Sequence, residues 1–167
     1  MMRSRISYIL AALLFLFAAT HTLRAGDKSK LQWFSFEKGL AEAKKTNKKM
    51  LVDVYTDWCS WCKRMDADTY SNSTIASYLQ DKYVVVKLNA ESSARHSYNG
   101  KQYTEQELAS EFGVSGYPTT LFFKPDGGAI TAVPGYLDAS NFRPILSFIA
   151  EDHYVNTKFE DYARAKK

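Results

Sequence analysis

Asp53-Val54-Tyr55-Thr56-Asp57-Trp58-Cys59-Ser60-Trp61-Cys62-Lys63 contains both cysteines of the 167-residue chain, spaced C-x-x-C. The run 50–55 before them has strand character, broken by one acid, and the run from Lys63 onward has helical character. A cysteine where a strand passes into a helix sits among unpaired backbone N–H groups at the positive end of the helix macrodipole. That setting favours the thiolate, which is the reactive species. Two sulfurs one helical turn apart can close into a disulfide and open again. The stretch reads as a dithiol/disulfide redox site. Cys59 is the expected nucleophile, because it stands nearest the helix N-terminus. Cys62 is the expected shielded thiol that attacks Cys59 in a mixed disulfide and releases the reduced substrate.

Outward from this stretch, Ser35 is placed to cap a helix over 36–46, with Phe36, Leu40 and Ala43 on one face. Residues 31–33 read as a short edge strand before it. The helix that begins at Cys59 is expected to run to about Tyr70 and to be followed by a turn and a second helical piece over 74–80. Residues 83–89 form a strand whose run Val84-Val85-Val86 suits burial on both faces, as in a parallel sheet. Residues 90–103 read as a long polar loop, with His96 a solvated loop histidine and substrate contact or pH modulation as its alternative. Thr104-Glu105-Gln106-Glu107 is a capping box that opens a helix to Phe112. Strands over 119–123 and 129–133 flank the turn residues Pro125-Asp126-Gly127-Gly128, which predicts an antiparallel hairpin. A last helix ends near Ala150, capped by Asp138 or Ser140, with Pro144 in its first turn. The order β-α-β-α-β-α-β-β-α predicts an α/β fold. Its mixed central sheet joins a parallel unit to an antiparallel C-terminal hairpin, with helices on both faces. Residues 26–150 are the expected domain, and 151–167 a polar tail whose conformation the pattern leaves open.

Trp58-Cys59-Ser60-Trp61-Cys62-Lys63-Arg64-Met65 resembles the W-C-x-W-C-K-x-M motif of exported thioredoxin-like proteins, the thiol:disulfide interchange proteins of the thioredoxin fold. Asp53, six residues before the first cysteine, matches the buried acid of that family. Lys87 matches the lysine that approaches it. Gly116-Tyr117-Pro118-Thr119 resembles the loop carrying a cis-proline opposite the cysteines. The likeness covers roughly residues 33–150. It implies that Tyr117 and Pro118 present backbone to an extended substrate segment, which pairs briefly as a strand. The dipeptide Ser60-Trp61 differs from the Gly-Pro of ordinary thioredoxins.

The formal charge of +4 is misleading. Three of the 22 basic residues, Arg3, Arg5 and Arg24, lie in the first 25, which hold no acid, so 19 basic face 18 acidic residues beyond them. No polyanion partner is implied and nucleic-acid binding has no support. Arg3 and Arg5 followed by the apolar run 6–19 read as an export signal over 1–25, with an uncleaved N-terminal anchor as the alternative. An exported chain whose only two cysteines form one C-x-x-C has no structural disulfide framework. Zinc wants four ligands, and only His21, His96 and His153 could join the cysteines, so no metal and no cofactor beyond the Cys59–Cys62 disulfide is expected.

An acid in a core strand is costly without a partner or a task. Asp53 is therefore the candidate base for Cys62, with Lys87 offsetting part of the rise in its pKa; a plain buried ion pair is the alternative. Trp58, Trp61 and Tyr117 are the expected apolar rim around Cys59, part of Trp58 packing into the core. The expected activity is exchange of this disulfide with cysteine-containing protein substrates, served by a recycling partner that is membrane-bound in one version. Ser60 and Trp61 carry no charge, while Asp53 and Asp57 disfavour a thiolate, so the reductase or isomerase direction is favoured. The alternatives are a peptide-binding, chaperone-like module and an electron relay to one membrane partner.

Overall fold

The computed structural model describes residues 30–165; the expected export signal lies outside them. The sheet is built from β1 (Lys49–Tyr55), β2 (Tyr83–Asn89), β5 (Thr119–Phe123) and β6 (Ala129–Pro134), in the order β2-β1-β5-β6. β1 pairs with β2 in parallel and with β5 antiparallel, and β5 pairs with β6 antiparallel. The sheet is thus mixed, as its sequence pattern predicts. β1 is central, with five consecutive buried residues, and register places Asp53 between Lys87 on β2 and Thr120 on β5.

Period-two alternation divides the core between the two faces. Met50, Val52 and Val54 pack with Phe36, Leu40 and Ala43 of α1 (Phe36–Thr46) and with Leu108 of α4 (Glu105–Glu111). Leu51 packs on the opposite face with Met65, Ile75, Phe142 and Leu146. These belong to α2 (Ser60–Met65), α3 (Ser73–Lys82) and α5 (Ala139–Ala150). The odd-numbered positions of β1, Asp53 among them, therefore look towards α2. α1 lies close on the sheet because Gly39 carries no side chain. A Cβ there would stand 2.2 Å from Val86 Cγ2.

Several local expectations are corrected. Residues 31–33 form no strand: the chain makes one parallel bridge, Phe34 to Val86, and turns at once into α1. Ser35 occupies the N-cap position of α1 without a capping side-chain bond. Asp138 caps α5, and Pro144 is its sixth residue, beyond the first turn. The helix after Cys59 is not α-helical to Tyr70. It passes into one π-helical turn, Asp66–Tyr70, with Ser71 N–H bonded to Asp66 O at 3.2 Å.

Residues 90–103 are not a loop. They contain the antiparallel hairpin β3 (Arg95–Tyr98) and β4 (Lys101–Thr104). Asn99 and Gly100, at φ 50° and 77°, form its turn. The inward residues of β3 are His96 and Tyr98, whose polar atoms hide the alternation from a hydropathy reading. His96 is buried against Glu105, 3.2 Å away, and is no solvated histidine. At the C-terminus α6 (Phe159–Ala165) packs Phe159 and a buried Tyr162 against Phe148 of α5. Among the described residues no helix is long and apolar enough to cross a membrane.

Candidate active site

The parallel strands β1 and β2 end on the same edge of the sheet, and the chain leaves β1 through Thr56, Asp57 and Trp58. Cys59 has extended backbone angles and is the N-cap of α2. Its sulfur accepts the Cys62 N–H at 3.0 Å, so a thiol occupies the place usually held by a capping oxygen. The two sulfurs form a disulfide of 2.07 Å. Cys59 is 4% and Cys62 3% exposed, so accessibility does not separate them in this state. Their positions in the helix do: only Cys59 Sγ receives a backbone N–H.

Asp53 lies beneath α2, 1% exposed. Lys87 Nζ reaches its Oδ2 at 2.5 Å and Asp66 Oδ1 at 2.5 Å. The same ammonium stands 4.8 Å from the ring centre of Trp33, 5.2 Å from Tyr55 and 5.4 Å from Tyr70. Three ring faces and two carboxylates thus surround one cation. Burial raises the Asp53 pKa, and Lys87 opposes that rise without cancelling it. Burial alone would lower the Lys87 pKa, but Asp53 and Asp66 outweigh it and hold the ammonium above its ordinary value. Asp53 Oδ1, Thr56 Oγ1, Tyr70 Oη and Thr120 Oγ1 are buried without a hydrogen-bond partner among the described residues.

The surface above the disulfide is aromatic. Trp58 and Trp61 are 66% and 52% exposed, so neither is core packing. Trp58 meets Tyr117 edge to face, centroids 5.9 Å apart, and donates its indole N–H to Glu91 Oε1 at 2.8 Å. Trp61 lies 5.3 Å from Tyr136, and the Arg64 guanidinium caps both rings. Arg64 is held by Asp68 at 3.1 Å. Trp61, Tyr117, Pro118, Gly135 and Tyr136 line a cleft of about 390 Å³. The Tyr117–Pro118 peptide bond is cis.

All eight residues singled out from the sequence lie in this region, as an upper rim and a buried floor. Sequence reasoning missed Asp66, Tyr70, Glu91, Thr120 and Tyr136. Asp66 had a signal, since an acid four residues after Cys62 falls on the same helix face. The others depend on register and on the π turn. Among the described residues no group of three or more His, Cys, Asp or Glu could hold a metal ion.

Residues 36–150 match the family profile of the thioredoxin-like domain. The chain is 34% identical over 105 residues to the thiol:disulfide interchange protein DsbD of Yersinia enterocolitica, a match covering 62% of this chain and 16% of that protein. It therefore spans only a small part of the curated relatives it matches. Among solved structures, a thioredoxin-fold protein from Helicobacter pylori superposes with a TM-score of 0.65 at 24% identity, covering 78% of this chain and 97% of that one. A thioredoxin from Thermus thermophilus gives 0.59 at 23% identity, covering 71% and 86%. At these identities both report the fold alone.

Proposed function

The chain belongs to the thioredoxin-like domain family, and from that premise we propose that it exchanges its Cys59–Cys62 disulfide with cysteines of other proteins outside the cytoplasm, in the reductase or isomerase direction. The observation that carries the reading is the closed disulfide at the start of α2, above a buried carboxyl whose proton affinity is raised.

In the reduced protein the Cys59 thiolate attacks one sulfur of a substrate disulfide. A Cys59–substrate S–S bond forms, the substrate S–S bond breaks, and the departing sulfur takes up a proton. Cys62 then yields its proton to Asp53 and attacks Cys59 Sγ. The Cys59–Cys62 bond forms as the mixed disulfide breaks, so two electrons have passed to the substrate. A thiol donor must return them for the next cycle. The cleft beside Trp61 and Tyr136 suits an apolar side chain flanking the substrate cysteine.

The charges near Cys59 support that direction. Arg64 is engaged by Asp68, and Lys87 by Asp53 and Asp66. Lys63, next to Cys62, is exposed, so solvent screens its charge. Little is left to stabilise a thiolate strongly, and the potential should lie below about −200 mV. Equilibration with glutathione, read by Trp58 or Trp61 fluorescence, checks this; a value near −120 mV makes the protein an oxidant. Export rests on the pattern of residues 1–25, and fractionation tests it: a cytoplasmic pool of full-length chain removes it.

The central test is trapping. Cys62→Ser should accumulate mixed disulfides through Cys59, and Cys59→Ser should trap nothing. Equal trapping by both variants overturns the assignment of roles. Many trapped proteins fit a general exchanger, whereas one dominant partner marks a dedicated electron relay.

A further inference from the structure

We propose that Tyr70, with Thr120, is a positioning residue that holds the inner carboxyl oxygen of Asp53 in place to take the proton of Cys62. The proposal rests on the thiol-exchange reading above. It concerns the step in which the Cys62 S–H bond breaks, its proton passes to Asp53, and the Cys62 sulfur displaces the substrate sulfur from Cys59.

Three observations lead to it. The first is an asymmetry in Asp53. Its Oδ2 is bound by Lys87 at 2.5 Å, while its Oδ1 is buried with no partner. A carboxylate left half-satisfied in a core is costly unless something nearby can donate to it. Two hydroxyls near it are orphaned in the same way, Tyr70 Oη and Thr120 Oγ1. The Tyr70 hydroxyl lies close enough to interact with both Asp53 and Thr120. In the disulfide state the three buried oxygens thus share one neighbourhood, none with a formed hydrogen bond among the described residues.

The second is placement. Thr120 is the β5 residue directly opposite Asp53, so both side chains project from the same face of the sheet. Tyr70 comes down on that face as the last residue of the π turn. The extra residue of a π turn rotates the next side chains relative to an unbroken α-helix. The turn thereby brings Tyr70 onto the face of Asp53, while Asp66, its N–H still bonded to Cys62 O in the α-helix, reaches Lys87. π turns of this kind recur at functional sites.

The third is rigidity. The Tyr70 ring is buried, 5.0 Å from Trp33 and 5.9 Å from Phe142, edge to face in both cases, and Lys87 stands over it. The hydroxyl is clamped where it points. Burial, and then the Asp53 charge, hold its pKa well above the ordinary tyrosine value, so it stays a neutral donor wherever the protein works.

The titratable groups around Asp53 are Lys87 from β2, Asp66 and Tyr70 from the π turn, and Tyr55 on its own strand. β5 presents Thr120 opposite Asp53, and α5 packs Phe142 on the Tyr70 ring; neither ionises. Of these groups, Lys87 and Tyr70 favour the ionised carboxylate and Asp66 disfavours it. Removing the Tyr70 hydroxyl alone should raise the pH at which Asp53 can accept a proton. The Lys87 bridge and the ring contacts stay in place.

The experiment uses the full chain loaded with thionitrobenzoate on Cys59, and follows release of the coloured thiol by attack of Cys62 from acidic to alkaline pH. Tyr70→Phe keeps the ring and should move the acid limb of the wild-type profile upward by about one pH unit. At a fixed pH below the limb this is roughly a tenfold slower release. Thr120→Val should move it the same way by less. Tyr70→Phe should add no shift in the Asp53→Asn background, since the carboxyl it serves is gone. An unmoved limb in Tyr70→Phe, or an equal shift without Asp53, overturns the proposal and leaves thiol exchange standing. A wild type that releases nothing overturns thiol exchange, and this proposal with it.

Discussion

Two buried acid–base pairs lie on opposite faces of the sheet, and they are built differently. Under the β3–β4 hairpin, Glu105 has both oxygens occupied: Oε1 by His96 at 3.2 Å and Oε2 by the Asn89 N–H at 3.2 Å. As the first residue of α4 it also meets the positive end of the helix. Under α2, Asp53 has one oxygen on Lys87 and one with no partner, and Lys87 is shared with Asp66. The first pair is complete and ties the hairpin to the end of β2. The second is incomplete, and burial raises the proton affinity of its acid. A buried carboxylate with both oxygens satisfied suits a role in the fold, while one with a spare oxygen suits the proton exchange proposed for Asp53.

Breaking the complete pair should show the largest effect on stability. Glu105→Ala leaves His96 and the Asn89 N–H without their partner, and should cost about 3 kcal/mol in urea denaturation. The release step, measured per folded molecule, should change little. A stable Glu105→Ala variant that cannot resolve mixed disulfides would reverse the division of roles.

Asp53→Asn should behave in the opposite way. Release from the mixed disulfide should slow by about a hundredfold near neutral pH, while the first attack by Cys59 is nearly intact. An unchanged release rate would reduce Asp53 to a structural ion pair.

The pH dependence of stability sharpens the same contrast. The Asp53 pKa is raised in the fold above its ordinary 3.8. As pH rises from 3.8 towards the folded value, the unfolded chain loses this proton while the native chain keeps it, so the native state loses stability through that window. Asp53→Asn has no such loss. Its stability relative to wild type should therefore increase across the window and level off above it. Paired urea titrations at several pH values check this, and a variant whose stability relative to wild type falls as pH rises would contradict the raised pKa.

Asp66→Asn should give the smallest effect. Asp66 is half-exposed, so solvent screens it. It raises the Asp53 pKa through its charge. Its removal should lower the acid limb of the release profile by a few tenths of a pH unit, opposite in sign to Tyr70→Phe. A shift in the same direction as Tyr70→Phe would mean that Asp66 acts by positioning Lys87 rather than through its field.

Much of this arrangement was present in local pattern. The cysteine spacing, the strand before it and the helix after it place Cys59 at a helix start without reference to any other part of the chain. An acid inside the run 50–55 announces a buried charge, and the resemblance to thioredoxin-like proteins pointed to Lys87 as its counterpart. The C-terminal hairpin was legible because Pro125-Asp126-Gly127-Gly128 between two apolar runs admits few other conformations. The β3–β4 hairpin was not, because its inward residues, His96 and Tyr98, count as polar until their partners Glu105 and Gly127 are known.

What the sequence by itself determined is the redox pair, its seat at a strand–helix junction and the acid beneath it, since each follows from side-chain chemistry and short-range periodicity; the lysine came only with the resemblance to thioredoxin-like proteins. Tertiary structure alone decided that Lys87 is shared by two carboxylates within three rings, and that Tyr70 and Thr120 bury their hydroxyls in the neighbourhood of Asp53. Those contacts join residues from β1, β2, β5 and the segment after α2. They exist only in the sheet register that sets Asp53 opposite Lys87 and Thr120, and with the one extra residue of the π turn, which turns Tyr70 inward.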